Sequence, residues 1–370
     1  MKRLILLSVL ALGVGGLLAS GAATSGATTP KPVGAVHVTS AKTAHAGKFL
    51  ACMVTDTGGI DDRSFNASSW QGVKEAESAN ILGKYLQSSS ESDYVPNINA
   101  FIAEKCGIIV TVGFLMGDDT ESAAKAHPSQ DFAIVDYTYS PAIKNIDALV
   151  FNTVQDGFEG GYLAAGYSKT HVVATFGGIQ LPTVTIYMDG FWDGVQYYNK
   201  MHPKQTPTTV LGWNEKTQKG SFTGDFTNQT KGEELTNTFI SENADIIFPV
   251  AGNVGLGAAA AVKAADGSGT NVTMEWVDTD GCISAPQYCK YFISSVTKGI
   301  QAAVKTAIRS TAAGKFKGGN YIGNLANGGV VLSPYHDYAS KIPMSLQNQI
   351  NTIKSQIISG KIVPATKSPV

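Results

Sequence analysis

The residues with the clearest chemical potential lie in the segment DTGGIDDRSFN, residues 56–66. This segment holds three aspartates, an arginine and an asparagine beside two glycines and a phenylalanine. Such a set of side chains suits a calcium loop, a phosphate loop, a catalytic carboxylate pair or the floor of a ligand pocket. The spacing of the residues decides among these four kinds of site.

The metal and phosphate alternatives fail on spacing. A calcium-binding EF-hand loop that starts at Asp56 needs an oxygen ligand at its third position and a glutamate at its twelfth, where this chain has Gly58 and Ala67. The phosphate-loop pattern GxxxxGK[ST] does not occur in the sequence. The glycines of PVAGNVGLG follow GxxGxG spacing, which differs from the GxGxxG of dinucleotide-binding folds. We therefore expect neither a metal nor a cofactor.

Catalysis has no specific support in the sequence. The hydrolase pattern GxSxG and the zinc pattern HExxH do not occur, and the six histidines are scattered. Asp61 and Asp62 fit a turn and the start of a helix, where aspartate is favoured, better than an acid–base pair. We therefore expect no enzyme.

Alternating apolar runs and helical segments must position these residues. Continuous apolar runs of strand length recur along the chain, each followed by a segment with helical spacing of its apolar residues. Runs of this kind indicate parallel strands that helices cover on both faces. The pattern restarts near His171, which predicts two doubly wound α/β lobes. The clearest runs are residues 48–55, 107–113, 131–136, 147–153, 171–178, 244–252 and 272–278.

Ligands of such sheets bind beyond the carboxyl ends of the strands, where the strand order switches. The residues at those ends are therefore candidate ligand contacts. Three of them are carboxylates, which can accept hydrogen bonds from a polyhydroxy ligand. For Phe114, a place in the pocket wall or in the core stays open. The strand-end residues are Asp56, Phe114, Asp136, Gly252 and Asp278.

The chain begins with features of a secretory signal. Lys2 and Arg3 precede an apolar run over residues 4–18, which small residues follow, as in a cleavable signal peptide. No cysteine lies near its end, so lipid anchoring is in doubt. We expect a mature protein exported to the periplasm or cell surface. The formal net charge of −1, without long basic blocks, argues against nucleic acid as a partner.

Four cysteines in an exported chain favour disulfides. Cys282 and Cys289 enclose a short polar loop that a bridge could close. Cys52 and Cys106 each lie beside a strand-like run, so they can join if the two strands are neighbours. No CxxC pattern supports the alternative of a metal site.

Several long motifs together resemble the basic membrane protein family of substrate-binding proteins, which includes purine-nucleoside-binding lipoproteins. They are VTDTGGIDDRSFNASSWQGVKEA, FIAEKCGIIVTVGF, DFAIVD, FGGIQLPTVTIYMDGFWDGV, KGSFTGDFTNQTKGEEL, ADIIFPVAGNVGLG, WVDTD and SSVTKGIQAAV. The resemblance runs from about residue 48 to residue 335. It implies a periplasmic-binding-protein fold of the sugar-binding type (type I), with two lobes, a hinge and a ligand closed between them. It also implies delivery of that ligand to the membrane subunits of an ABC transporter.

The resemblance also implies residue roles on the base side of a purine nucleoside. Phe65 of DRSFN is expected to stack on one face of the base. Phe222 of GSF is expected to cover the other face, with Trp213 and Phe226 as nearby competitors. Asp56 and Asn66 are expected to hydrogen-bond the base edge. The TGDFTN segment departs from the family's more usual acidic-proline turn, and this unsettles the register around Phe222.

On the sugar side, the same resemblance implies that Asp278 of VDTD and Lys298 of SSVTK hold the ribose hydroxyls. Gly252 of PVAG is expected to give a close backbone contact, and Asp136 to supply a further carboxylate. A sugar or an autoinducer-like molecule remains the alternative ligand, and an exported nucleoside hydrolase is the more distant alternative. We expect a monomer. The predicted domains are a signal peptide (1–23), a disordered leader (24–47), a first lobe (48–153), a second lobe (154–285), and a return to the first lobe with hinge strands and the C-terminal helix (286–370).

Overall fold

The computed structural model describes residues 47–368, so the predicted signal peptide and nearly all of the predicted leader lie outside the described residues. Strands and helices alternate through this range. The first half of the chain forms β1 (Phe49–Val54), α1 (Phe65–Ala76), β2 (Ile81–Leu86), α2 (Tyr94–Ala103), β3 (Ile108–Val112), α3 (Gly117–Ala126), β4 (Phe132–Val135), β5 (Ile146–Phe151) and α4 (Val154–Tyr167).

The second half repeats this alternation and adds a short hairpin-like pair. It forms β6 (Val172–Gly177), α5 (Pro182–Met201), β7 (Thr209–Leu211), β8 (Trp213–Asn214), β9 (Lys219–Gly220), α6 (Gln229–Ser241), β10 (Ile246–Val250), α7 (Val254–Gly267), β11 (Thr273–Asp278), α8 (Gly281–Ser284), β12 (Phe292–Lys298), α9 (Ile300–Ala312), β13 (Gly319–Gly323), β14 (Val330–Leu332) and α10 (Met344–Ile358).

Two six-stranded sheets organise the two lobes. The first has the order β13–β5–β4–β3–β1–β2, and all its neighbouring strands are parallel. The second has the order β14–β12–β11–β10–β6–β7, with only β14 antiparallel to its neighbour. The strand order switches between β1 and β3 in the first sheet and between β6 and β10 in the second. The predicted pair of doubly wound α/β lobes is confirmed.

The central strands are buried on both faces. Every residue of β3, β4 and β10 is buried, which is why these strands appear in the sequence as continuous apolar runs. Helices cover both sides of each sheet. The two sheets therefore hold the loops at their carboxyl ends in fixed positions.

The sequence predicted that the chain returns to the first lobe at residue 286, and this boundary is wrong. β12 lies in the second sheet, parallel to β11, because its apolar run completes that sheet. The return begins only with α9, which packs against α1, and β13 then joins the first sheet beside β5. β14 pairs with β12, and α10 packs against α4, so the C-terminal helix belongs to the second lobe. Three segments therefore cross between the lobes, after β5, after β12 and after β13.

Two disulfides join the four cysteines, as expected for an exported chain, and they settle the pairing that the sequence left open. Cys52 in β1 is bonded to Cys106, which lies two residues before the neighbouring strand β3. Cys282 in α8 is bonded to Cys289 and closes the loop beside the end of β11. Within residues 47–368, none of the helices has the length and apolar character needed to cross a membrane.

Two carboxyl groups in the second lobe, those of Asp156 and Glu275, are buried without a hydrogen-bond partner among the described residues. Glu275 of β11 is fully buried, and both its carboxyl oxygens lack a partner among the described residues. It points at α4, where a Cβ atom added to Gly160 would lie 2.6 Å from Oε2 of Glu275. Burial raises the pKa of the Glu275 carboxyl from 4.5 to about 8.

This burial predicts a pH-dependent cost to stability. The folded protein holds the Glu275 proton more tightly than the unfolded chain does, so stability should fall as the pH rises from about 4.5 to about 8. The variant Glu275→Gln cannot ionise. Its free energy of unfolding should be close to that of the wild type near pH 5 and exceed it by up to about 4 kcal/mol near pH 9, because each unit between a pKa of 4.5 and one of about 8 corresponds to about 1.4 kcal/mol.

Urea denaturation of both proteins at the two pH values measures this difference. The exposed Glu233→Gln substitution serves as the matched control, with no such pH dependence expected. A difference between wild type and Glu275→Gln that is the same at both pH values would contradict the prediction.

Candidate functional site

A cavity of about 590 Å³, its mouth included, lies between the carboxyl ends of the strands of the two sheets. We call it the central cavity. Its position is the one expected for α/β sheets, beside the switch points of the strand order. Eight of the nine predicted ligand contacts line it: Asp56, Phe65, Asn66, Phe114, Asp136, Gly252, Asp278 and Lys298.

Phe222, the ninth predicted contact, does not line the central cavity. Its backbone forms a β-bridge with Gly177, and its ring packs edge-to-face against Trp213, with 5.9 Å between the ring centroids. Phe226 takes the predicted place on the wall of the central cavity. The chain turns at Gly224, with φ of +85°, so the aromatic residue that reaches the cavity comes four positions later than predicted.

The first turn of α1 is held by a buried aspartate. The Asp62 carboxylate accepts hydrogen bonds from the backbone N–H groups of Ser64 (3.0 Å), Asn66 (2.7 Å) and Ala67 (3.0 Å). These bonds satisfy donors that have no partner inside the helix. The predicted helix N-terminal role is thus confirmed for Asp62, whereas Asp61 is exposed.

Asn66 positions Asp56 and uses most of its hydrogen-bonding capacity to do so. Its Nδ2 donates to Oδ1 of Asp56 at 2.7 Å and to Oδ2 of Asp62 at 3.1 Å. Its Oδ1 accepts from the backbone N–H of Asp56 at 3.3 Å. Both amide protons are therefore occupied, and Asn66 offers a ligand only the remaining acceptor capacity of its Oδ1.

Asp56 retains one carboxylate oxygen for a ligand. Its Oδ1 accepts from the N–H of Gly58 at 2.8 Å and from Asn66, while its Oδ2 has no donor among the described residues. A Cβ atom at Gly113 would lie 2.9 Å from this Oδ2, and Gly113 has φ of +124°. Gly113 is therefore required at the end of β3. Burial raises the pKa of the Asp56 carboxyl to about 6, against the opposing hydrogen bonds from Asn66 and Gly58.

A buried ammonium group lies between two carboxylates on the other side of the central cavity. Lys298 Nζ, at the end of β12, lies 2.5 Å from Oδ2 of Asp136 and 3.7 Å from Oδ1 of Asp278. All three side chains are buried. Burial lowers the pKa of Lys298, but the charges of Asp136 and Asp278 outweigh it and hold the pKa above its usual value. The Lys298 ammonium therefore stays charged.

Asp136 and Asp278 both have left-handed backbone conformations at the ends of their strands. Their φ angles are +69° and +65°, which non-glycine residues rarely adopt. Backbone strain of this kind concentrates at functional sites, where surrounding contacts hold the residue in place. Here the strained conformations bring the carboxylates of a first-lobe strand and a second-lobe strand to the same ammonium group.

Two further residues hold Asp278. The Tyr187 hydroxyl of α5 donates to Oδ1 of Asp278 at 2.9 Å, and the Ser64 hydroxyl of the first lobe donates to Oδ2 at 2.7 Å. Lys298 Nζ lies 5.1 Å from the ring centroids of both Tyr187 and Phe65, a distance suited to cation–π attraction. Tyr187 was missed in the sequence because nothing in its helix marks which tyrosine faces the cleft.

The two lobes also contact each other beside this charged group. The carbonyl oxygen of Arg63 accepts from the Trp276 indole N–H at 3.3 Å and from the Thr279 hydroxyl at 3.2 Å. Arg63 has φ of +57°, which aims its carbonyl at the second lobe. With the Ser64–Asp278 bond, these contacts describe two lobes that meet around the central cavity.

One group of side chains has the composition of a metal site. Asp280, Cys282 and His336 lie together, with ligand atoms within 4.8 Å of one another. Cys282 is bonded to Cys289 and has no thiolate to offer, and His336 Nε2 lies 2.7 Å from Oδ2 of Asp280. The group is therefore better described as a disulfide beside a histidine–carboxylate contact.

The family relationships of the chain agree with this geometry. Residues 49–367 match the sequence profile of a family described as ABC transporter substrate-binding protein, PnrA-like. A Listeria innocua protein named CD4+ T-cell-stimulating antigen is 30% identical over 329 residues, which cover 85% of this chain and 87% of that protein. A Lactococcus lactis subsp. cremoris protein named ABC transporter nucleoside-binding protein BmpA is 28% identical over 332 residues, with 86% and 89% of the two chains covered.

The fold has a close counterpart among solved structures. The crystal structure of an ABC transporter system solute-binding protein from Aeropyrum pernix K1 matches with a TM-score of 0.78 and 23% sequence identity. The match covers 87% of this chain and 94% of that one. It supports the two-lobed architecture expected of a periplasmic-binding-protein fold.

The hydrogen bonds of Asp62 predict a stability effect that does not depend on any ligand. In Asp62→Asn, one oxygen becomes an NH₂ group that would face N–H donors of α1. The substitution should therefore lower the free energy of unfolding by roughly 1–3 kcal/mol. The exposed neighbour provides the control, because Asp61→Asn should change stability by less than about 0.5 kcal/mol. Chemical denaturation measures the free energy of unfolding of both variants. Equal effects at the two positions would show that the hydrogen bonds to the Asp62 carboxylate do not stabilise α1.

Proposed function

Because the chain belongs to the family of PnrA-like ABC transporter substrate-binding proteins, we propose that it binds a purine nucleoside between its two lobes. We propose further that it delivers the nucleoside to the membrane subunits of an ABC transporter. The observation that carries this proposal is the combination of two buried carboxylates and one ammonium with aromatic walls in a single cavity. The name of the Lactococcus lactis relative, a nucleoside-binding protein, supports the same ligand class.

The charged side of the central cavity suits a sugar diol. A carboxylate accepts hydrogen bonds from two neighbouring hydroxyl groups, and such charge-assisted bonds are stronger than neutral ones. Asp278 and Lys298 are proposed to hold the ribose hydroxyls, with Asp136 as the second carboxylate. The short Lys298–Asp136 contact of 2.5 Å offsets the cost of burying these charges.

The aromatic side of the central cavity suits a flat base. Phe65 of the first lobe and Phe226 of the second line it, and we propose that they stack on opposite faces of the purine. Stacking of this kind contributes about 1–3 kcal/mol per base in nucleic-acid-binding proteins. The free Oδ2 of Asp56 is proposed to accept a hydrogen bond from an N–H group on the base edge, with Asn66 fixing its orientation.

Lobe closure is the proposed binding motion. The contacts from Ser64 to Asp278 and from Lys298 to Asp136 join the two lobes at the bottom of the cleft. Three chain segments cross between the lobes, an arrangement suited to a hinge. A nucleoside that contacts both lobes binds the closed form better than the open form, and so shifts the population toward it.

We propose that the protein works outside the cytoplasm, after removal of its signal peptide, and as a monomer. A different small ligand, such as a sugar or an autoinducer-like molecule, is the other candidate, because the carboxylates alone would suit any polyol. The aromatic pair favours the nucleoside, since a flat base offers one π-face to each of the two rings.

Thermal-shift measurements with purine nucleosides, free bases and sugars distinguish the two ligands. A ligand that binds only the folded protein stabilises it by mass action, by about 2.7 kcal/mol at 100 times its Kd. Purine nucleosides should raise the Tm clearly, whereas free bases and sugars should raise it less. A shift with sugars and none with nucleosides would remove the purine from the proposal.

The variant Asp278→Asn tests the proposed diol contact. Loss of the negative charge should weaken nucleoside binding by roughly 10–100-fold, the value of one or two charge-assisted hydrogen bonds. The protein should stay folded, because the asparagine oxygen can still accept from Tyr187 or Ser64. Isothermal titration calorimetry measures the affinity, with the exposed Asp337→Asn as the control. Unchanged affinity in Asp278→Asn would take Asp278 out of the ligand contacts.

A further inference from the structure

A second cavity opens beside the charged end of the central cavity. This side pocket encloses about 690 Å³, its mouth included, and shares Phe114, Asp136, Thr183 and Lys298 with the central cavity. The residues that line it alone are Tyr137, Thr138, Val150, Phe151, Pro182 and Ile186. The two cavities therefore meet at the Asp136–Lys298 ion pair, between the end of β4, the end of β5 and the start of α5.

The walls of the side pocket are mainly apolar. Val150, Phe151 and Ile186 are buried. The ring of Tyr137 packs against Phe114, with 5.0 Å between the centroids, and its hydroxyl points away toward Asp118, at 3.4 Å. Apart from the paired Asp136 and Lys298 at the border with the central cavity, the other polar side-chain groups on the lining are the hydroxyls of Thr138 and Thr183. Such a surface favours a neutral, largely apolar group over a charged one.

The charges around the two cavities also disfavour an anionic ligand. Among the described residues that line either cavity, Lys298 is the one lysine or arginine, and Asp136 and Asp278 already pair with it. Asp56 adds a further carboxylate in the central cavity. A phosphate here would meet more negative than positive charge, and no unpaired ammonium or guanidinium group would offset the cost of removing it from water.

We infer that the side pocket receives a neutral, apolar substituent at the sugar end of the ligand, such as a 5′-thioether or 5′-alkyl arm of a purine nucleoside. This inference rests on the proposed function. With the base between the aromatic rings and the 2′,3′-diol on the carboxylates, the 5′ carbon is the arm of the sugar that is left to extend. The Asp136–Lys298 pair borders both cavities, so an arm that leaves the sugar there enters the side pocket.

Isothermal titration calorimetry of the mature chain tests this inference. The probes are adenosine and guanosine, their 5′-deoxy-5′-methylthio analogues and their 5′-monophosphates. Burial of a methylthio group should tighten binding of the preferred nucleoside by about 3–10-fold. This is the gain expected when one or two apolar groups of the size of a carbon atom are transferred out of water. The corresponding monophosphate should bind at least about 100-fold more weakly than the parent nucleoside, since it brings uncompensated charge into the cleft.

A variant that fills the side pocket supplies the structural control. Thr138 is half-buried in the loop after β4 and does not line the central cavity. Thr138→Phe should weaken binding of the methylthio analogue by roughly 10-fold and change binding of the parent nucleoside by less than about 3-fold. The matched control is Thr270→Phe, at an exposed position that lines neither cavity, and it should change neither affinity. Saturation-transfer NMR on the wild type adds a readout that needs no variant, with strong transfer to the S-methyl protons expected.

The outcomes separate this inference from the proposed function. Binding of the parent nucleosides without binding of the methylthio analogues would overturn the inference about the side pocket and leave the proposed function standing. Equal affinity of the analogue for wild type and Thr138→Phe, or no transfer to the S-methyl protons, would also overturn it. Monophosphates that bind as tightly as the nucleosides would overturn the charge argument. Failure of every nucleoside and analogue to bind would overturn both proposals.

Discussion

The site depends on one buried ammonium group that joins strands from both sheets. Lys298 ends β12 in the second lobe, yet its Nζ lies closest to Asp136, which ends β4 in the first lobe. Breaking a buried ion pair by removing one partner leaves an uncompensated charge and costs about 3–5 kcal/mol. The relative position of the two lobes therefore depends on the charges of Lys298 and Asp136. A ligand that offers hydroxyl groups to these carboxylates acts on the same group that holds the lobes together.

The surrounding contacts keep this charged group in a fixed geometry. Tyr187 and Ser64 each donate to one oxygen of Asp278, so helix α5 and the loop before α1 both orient that carboxylate. On the opposite wall, Asp62 and Asn66 fix the start of α1 and the orientation of Asp56. The central cavity is thus preorganised on both sides. Preorganisation lowers the cost of ordering side chains when a ligand binds.

The sequence predicts the fold and most of the cavity wall because parallel strands place their last residues at one edge. Asp56, Asp136 and Asp278 were found by that rule alone. Phe222 was misplaced because the turn at Gly224 shifts the register by four residues, and local pattern does not fix a turn of that kind. Membership of β12 in the second sheet depends on long-range pairing with β11. The role of Asn66 in positioning Asp56 was not foreseen, because its hydrogen-bond partners are visible only in three dimensions.

The central claim is that a purine nucleoside binds between the lobes, with its sugar on the Asp136–Lys298–Asp278 group. The most direct test is a crystal structure of the mature chain grown with the purine nucleoside that gives the largest thermal shift. The account predicts electron density for the base between Phe65 and Phe226, and ribose hydroxyls within about 3 Å of the Asp278 carboxylate. A nucleoside bound outside the central cavity, or one whose sugar faces away from Asp278, would contradict it.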